Sequence, residues 1–237
     1  TKHPEILFPV QKEVHYFCEH HHLRPATLAN FPTLDQYIDL FEQSYQQFLL
    51  NSIKMLMRHG KLYKPLKGEG TACYSVLDRT VIQEIIQINP KLKVILMIRN
   101  PIDRAWSHTK HIYIKQRGIN LSEVSSKELE KFFKEKHIFR AGEYTKTIDL
   151  WNEFLKPGNL FYGEFKDITE KPKDLIMRVY NFLGVTSDSR YISKNASQKI
   201  NATPTLNIPE KYKAMLSELF DDELVQLKQR FGIFFQF

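Results

Sequence analysis

The stretch KVILMIRNPIDRAWSH, residues 93–108, decides the fold. Val94 to Ile98 form an unbroken apolar run, too short for a helix and rich in β-branched residues. That is the pattern of a fully buried strand. Asn100-Pro101 turns the chain at once. Pro101 has the fixed φ that suits a first helical turn, and Asp103 carries the charge that suits its positive end. The spacing predicts strand, turn and helix, with the helix running beyond Ile112. Arg99 closes the strand and Ser107 follows about one and a half turns into the helix. In open α/β sheets, ligands gather beyond the carboxyl ends of the strands. There the planar guanidinium of Arg99 is matched to phosphate, and Ser107 adds a hydroxyl from the same side. From these residues alone, the alternative is a surface arginine with a capping or solvent-facing serine.

Working outward, residues 33–59 show helical spacing at Leu34, Tyr37, Ile38, Phe41 and Tyr45. Thr33 and Gln36 are placed to form a capping box. Gly60, Pro65, Gly68 and Gly70 mark 60–70 as a loop. A helix is predicted over 77–88, capped by Asp78, with Val81, Ile82, Ile85 and Ile86 on its apolar face and Asn89-Pro90 at its end. Downstream, a polar loop is expected at 116–127, helices at 127–137 and 143–156, and a strand at 159–165. The amphipathic stretch 172–183 is closed by Gly184. An irregular segment, 186–208, precedes a last helix over 209–231, stopped by Gly232. The alternation predicts one layered α/β domain over 1–237, with a central parallel sheet flanked by helices.

The chain has 237 residues, 42% of them hydrophobic, which excludes a disordered or collagen-like protein. No run of eighteen apolar residues occurs, so no stable membrane insertion is expected. The first residues, TKHPEILFPVQKE, lack the apolar core of a signal peptide. The net charge of +7 favours anionic partners, whether nucleic acid, phosphorylated cofactor or sulfated polymer, and equally describes a solvated basic surface. Cys18 and Cys73 show no metal-finger spacing, and whether they pair is not readable from sequence. His20, His21 and His22 are adjacent and do not converge on one ion, so no metal is expected. KELEKFFKEK, 127–136, alternates charge and reads as a solvated face. Asn120, Asn195 and Asn201 begin glycosylation sequons, which matter only in a secretory compartment. In QKEVHYF, Glu13 and His15 are two apart, so an extended segment points both to one side. A Glu or His so placed is suited to accept a proton. The alternative is a surface charge pair with His15 in a packing role.

KVILMIRNPIDRAWSH resembles the 3′-phosphate-binding strand, loop and helix of sulfotransferases that use 3′-phosphoadenosine 5′-phosphosulfate. It is closest to the carbohydrate and heparan-sulfate branch and its bacterial relatives. The resemblance implies a P-loop-NTPase-like fold, with Arg99 and Ser107 on the 3′-phosphate and a more structural role for Arg104. His108 matches a common variant, and Thr109 stands where an aromatic is more usual. Other segments resemble the family in order and spacing. HPEILFPVQKEVHYF, 3–17, is similar to the segment after the first nucleotide-binding helix. GEGTACYSVL, 68–77, is similar to the GE-(S/T)-x-x-Y-L loop. FRAGEYTKTIDLWNEFL, 139–155, is similar to the R-x-G-x-Y helix. LFYGEFKDITEKPKDLIMRVYNFLGV, 160–185, is similar to the strand and helix before the C-terminal cofactor loop. By resemblance Glu13 is the catalytic base, His15 its helper and Lys12 a stabiliser of developing negative charge. The loop SKNASQKINAT, 193–203, falls where the family folds over the nucleotide, which makes Lys199, with Lys194, a contact for phosphate or for an acidic acceptor.

Two departures bear on the acceptor. Gly70 follows Glu69 where some heparan-sulfate enzymes carry Lys, and Cys18 stands where they carry Asp; a heparan-type acceptor is left unsupported. The family's opening strand and Gly-rich 5′-phosphosulfate loop have no counterpart among the nine glycines. Gly60-Lys61-Leu62 is nearest and lacks the Ser or Thr. A segment upstream of Thr1 is therefore expected, and residues 1–237 alone are expected to show weak or no activity. The expected reaction is sulfuryl transfer to a hydroxyl or amine of a carbohydrate or other small acceptor, with no metal and no nucleic-acid partner. The competing readings are another P-loop nucleotide enzyme and a non-enzymatic module binding nucleic acid or a sulfated glycan. The lone cysteines favour a cytoplasmic location over a Golgi lumen.

Overall fold

The computed structural model of the protein describes residues 3–10, 13–20, 33–198 and 206–235. Along the chain lie β1 (Ile6–Leu7), α1 (Tyr16–His20), α2 (Leu34–Asp39), α3 (Tyr45–His59) and β2 (Leu66–Lys67). A 3-10 turn (Ala72–Val76) leads to α4 (Arg79–Ile88), β3 (Val94–Ile98) and α5 (Pro101–Lys110), which a π-helical turn (His111–Gln116) prolongs. There follow α6 (Ser126–Phe133), α7 (Lys136–Arg140), α8 (Tyr144–Asn152), β4 (Leu160–Glu164), α9 (Asp167–Glu170), α10 (Pro172–Leu183), α11 (Glu210–Leu219) and α12 (Asp221–Phe231). The chain divides into two compact units, one of residues 1–77 with 172–196 and one of 78–171 with 197–237. No described helix is long and apolar enough to cross a membrane.

The unit built on 78–171 contains the deciding stretch. Strand β3 pairs in parallel with β4, from Val94 opposite Leu160 to Ile98 opposite Glu164. Asn100 caps α5 by accepting the Ile102 N–H at 2.9 Å, and Pro101 opens the helix as predicted. The strand is not buried on both faces. Leu96 and Ile98 pack with Tyr144, Ile148, Leu227 and Ile233, while Ile95 is exposed. The apolar run overstates burial because the face that carries Ile95 and Met97 is less covered than the face that carries Leu96 and Ile98. A second core joins Ile102 and Trp106 of α5 to Phe132 and Phe133 of α6 and Phe220 after α11. The lysine-rich 127–136 segment is thus amphipathic rather than solvated all round: Leu129, Phe132 and Phe133 are buried beneath its charges.

In the other unit, β1 and β2 form a two-residue parallel pair, with β2 inside the 60–70 stretch expected to be loop. The chain start is tied to the end of α10 by His3, whose Nε2 meets the Thr186 carbonyl at 2.8 Å, and by Glu5, which accepts the Thr186 N–H at 2.9 Å. Ile6, Tyr180 and Val185 form the core there. The predicted parallel pairing is present, as two separate two-stranded sheets among the described residues.

Two predicted helices are broken. The span 33–59 divides into α2 and α3, because Ser44 accepts the Gln47 N–H and starts a new helix. The Thr33–Gln36 capping box is formed. The span 209–231 divides at Phe220, which is buried in the core; Asp221, Asp222 and Glu223 then supply the acidic first turn of α12. Gly184 and Gly232 close their helices with φ of 78° and 65°, as the spacing predicts.

Candidate active site

Arg99 leaves the end of β3 half-buried, and Ser107 sits half-buried on α5. The Arg99 guanidinium lies 5.0 Å over the Phe165 ring, and its backbone N–H donates to the Tyr144 hydroxyl at 3.4 Å. Among the described residues no carboxylate pairs with Arg99, and the Ser107 hydroxyl has no hydrogen-bond partner. The charge-bearing fork is therefore stacked and oriented but not neutralised. Arg104 differs: its Nη1 donates to the Ile138 carbonyl at 2.9 Å, and burial lowers its pKa. That is the structural role the resemblance implies. His108, beside Ser107, is held neutral: burial, reinforced by Arg104 and by His137 and His111, pushes it down to about 4.

Two residues of the R-x-G-x-Y helix acquire roles that the sequence alone did not assign. Tyr144 is buried, which raises its pKa, and its protonated hydroxyl stands at the Arg99 backbone. Gly142 is required by close approach, since a Cβ there would lie 2.5 Å from the Phe220 ring and 3.3 Å from Pro101. The small residue lets the start of α5 and the Phe220 ring each approach the backbone there. The only sequence sign of either role is the motif itself.

In the other unit, Glu13 and His15 come together as predicted but not on an extended segment. Both have left-handed backbone, with φ of 57° and 60°, around a buried Val14. The His15 Nε2 meets Glu13 Oε2 at 3.2 Å, with His15 mostly buried and Glu13 open to solvent. Left-handed conformation costs a non-glycine residue about 1–2 kcal/mol, so surrounding contacts must hold it. Those contacts are visible. Cys18 is bonded to Cys73, and the His15 Nδ1 lies 3.3 Å from the Cys73 sulfur. The ligand atoms of His15, Cys18 and Cys73 all lie within 4.8 Å of one another, but the disulfide leaves neither sulfur as a thiolate.

Glu69 of the GE loop is the centre of a second network. Tyr37 and Tyr74 donate to its Oε1 at 2.7 and 2.9 Å, and Thr71 donates to Oε2 at 2.8 Å. Burial, then the Glu69 charge, raises both tyrosines far above their ordinary range, so they stay protonated donors. Tyr74 also accepts the Phe17 N–H at 3.4 Å, which ties the GE loop to the segment of Glu13. Lys12, Lys199, His21, His22 and Asn201 lie outside the described residues, and Lys194 is exposed.

The model of the sulfotransferase domain family matches residues 80–225, well over half of the chain. No match is found among curated protein sequences. A sulfotransferase from Alicyclobacillus acidocaldarius superposes with a TM-score of 0.69 at 18% identity, covering 96% of this chain and 85% of its own, which shows a shared fold. The sulfotransferase domain from the curacin biosynthetic pathway aligns at a TM-score of 0.38 and 13% identity, over 88% of this chain and 77% of its own. The matched region spans β3, the Asn100-Pro101 turn, α5 and the R-x-G-x-Y helix, and on that match the chain belongs to the sulfotransferase domain family.

Proposed function

We propose that the protein transfers a sulfuryl group from 3′-phosphoadenosine 5′-phosphosulfate to a hydroxyl or amine of a carbohydrate or other small acceptor. The observation that carries this reading is the unneutralised Arg99 guanidinium, held by Phe165 and Tyr144 beside a turn, with the uncommitted Ser107 hydroxyl on the following helix. A planar cation and a free hydroxyl form a donor set that fits a phosphate monoester. When bound, the nucleotide supplies the sulfuryl group and leaves as adenosine 3′,5′-bisphosphate. Arg99 and Ser107 hold the 3′-phosphate, with Lys199 as a further contact. Glu13 accepts the acceptor's proton as the acceptor oxygen or nitrogen forms its bond to sulfur. His15 donates its Nε2–H to Glu13 and orients the carboxylate. Lys12 stabilises negative charge developing on the transferred group. The Cys18–Cys73 bond removes the support that lone cysteines lent to a cytoplasmic location, and it favours an oxidising compartment.

The test is calorimetric titration of wild type and Arg99→Ala with adenosine 3′,5′-bisphosphate and with adenosine 5′-monophosphate. Wild type prefers the bisphosphate and the variant loses the preference, by about 10- to 100-fold for a charge-assisted contact. Equal affinity of wild type for both nucleotides overturns the donor assignment.

A further inference from the structure

We propose that the outer face of α3 docks onto an anionic membrane surface. The helix buries one narrow side, through Asn51 and Met55. On the opposite side Tyr45, Leu49, Ile53 and Leu56 recur at spacings of four, four and three, with Leu50 and Met57 alongside one helical repeat apart. All six are exposed; Met57 keeps 81% of its surface, Tyr45 74% and Leu56 59%. Single exposed apolar residues are ordinary, whereas a contiguous apolar face along a 15-residue helix is a binding surface.

Charge selects the occupant. From Tyr45 to Lys67 the chain carries Lys54, Arg58, Lys61, Lys64 and Lys67 and no Asp or Glu. Lys67 pairs with Glu42 at 4.0 Å; the other four pair with no carboxylate among the described residues. Lys54 and Arg58 follow the apolar face on the helix itself, and Lys61 and Lys64 continue the charge past its C-terminus. A wide apolar face bordered by unpaired cations is the signature of a helix lying in the plane of an anionic bilayer. A second copy of the chain is the poorer occupant, because pairing these faces brings like charges together. The surface requires no membrane-spanning segment, and the proposal is independent of the nucleotide assignment.

Flotation of the 237-residue protein with phosphatidylcholine vesicles, with and without phosphatidylserine, tests it. Wild type floats with the phosphatidylserine vesicles only, and added salt weakens the association. Ile53→Glu/Met57→Glu abolishes flotation, and Lys54→Glu/Arg58→Glu lowers vesicle affinity by about tenfold or more. Circular dichroism and bisphosphate titration of both variants match wild type, which separates loss of docking from loss of fold and from failure of the nucleotide reading. Failure of wild type to float overturns the proposal, as does undiminished flotation of the Ile53→Glu/Met57→Glu variant. So does a wild-type dimer, seen by sedimentation, that the same variant dissolves, since the face is then a contact between copies.

Discussion

The two regions assigned to the reaction are built by different means. Arg99 and Ser107 belong to a strand, a capped turn and a helix, with ordinary dihedrals and a cap that reaches from Asn100 only to Ile102. Glu13 and His15 occupy left-handed backbone held by partners far along the chain: Cys18 bonds Cys73 across 55 residues, and His15 contacts that same cysteine. The backbone turn of the first region is made by rules that act between neighbours, and distant Phe165 and Tyr144 then orient Arg99. The second is over-determined from outside, which is how a strained arrangement persists. Damage to distant contacts should therefore harm proton transfer before it harms nucleotide binding.

The largest expected effect comes from removing the base we propose, Glu13, while leaving its setting. Glu13→Gln lowers turnover by about 10²- to 10⁴-fold, as loss of a positioned general base does, with bisphosphate affinity unchanged by calorimetry. Turnover near wild type would place the proton acceptor elsewhere. Next, Cys18→Ser/Cys73→Ser releases the tie across 55 residues and lowers stability by about 2–4 kcal/mol, read from denaturant unfolding. If the contrast between the regions holds, turnover falls in this variant by a larger factor than bisphosphate affinity does. Parallel losses would erase the contrast.

The unit that carries Arg99 has its own sensitivities. His108 is held down at about 4 against an ordinary 6.5, so between these values the unfolded chain binds a proton that the folded chain refuses. Its contribution is fully present above about pH 6.5 and is lost as pH falls toward 4, by up to about 3 kcal/mol. Urea unfolding of wild type at pH 7 and pH 4.5 shows this loss, and His108→Asn flattens it. The smallest effect is expected at Gly142, where Ala places a Cβ against Phe220 and costs about 1–3 kcal/mol. A lowered thermal midpoint checks it; an unchanged one would mean that the ring moves freely.

Much of the fold was legible because its signals are local. The Asn100-Pro101 turn, the Thr33–Gln36 box and the glycines at 184 and 232 each act within a few residues, and each is found where the sequence puts it. Helix continuity was less legible. Phe41 and Phe220 satisfy a helical repeat, yet both are buried at breaks that Ser44 and the acids after Phe220 exploit. The burial of β3 was overstated because an apolar run does not show how well each face of a strand will be covered.

By itself the sequence determined the strand, turn and helix around Arg99, the parallel pairing that follows from them, and the closeness of Glu13 to His15. Only the tertiary structure decided that Cys18 and Cys73 join, that Glu13 and His15 meet on left-handed backbone, that Tyr144 stands at Arg99, and that no described residue covers the outer face of α3. The physical reason is range. Caps, prolines and apolar periodicity express energies between neighbours, whereas disulfides, close approaches and exposed faces depend on which distant segments the folded chain brings together.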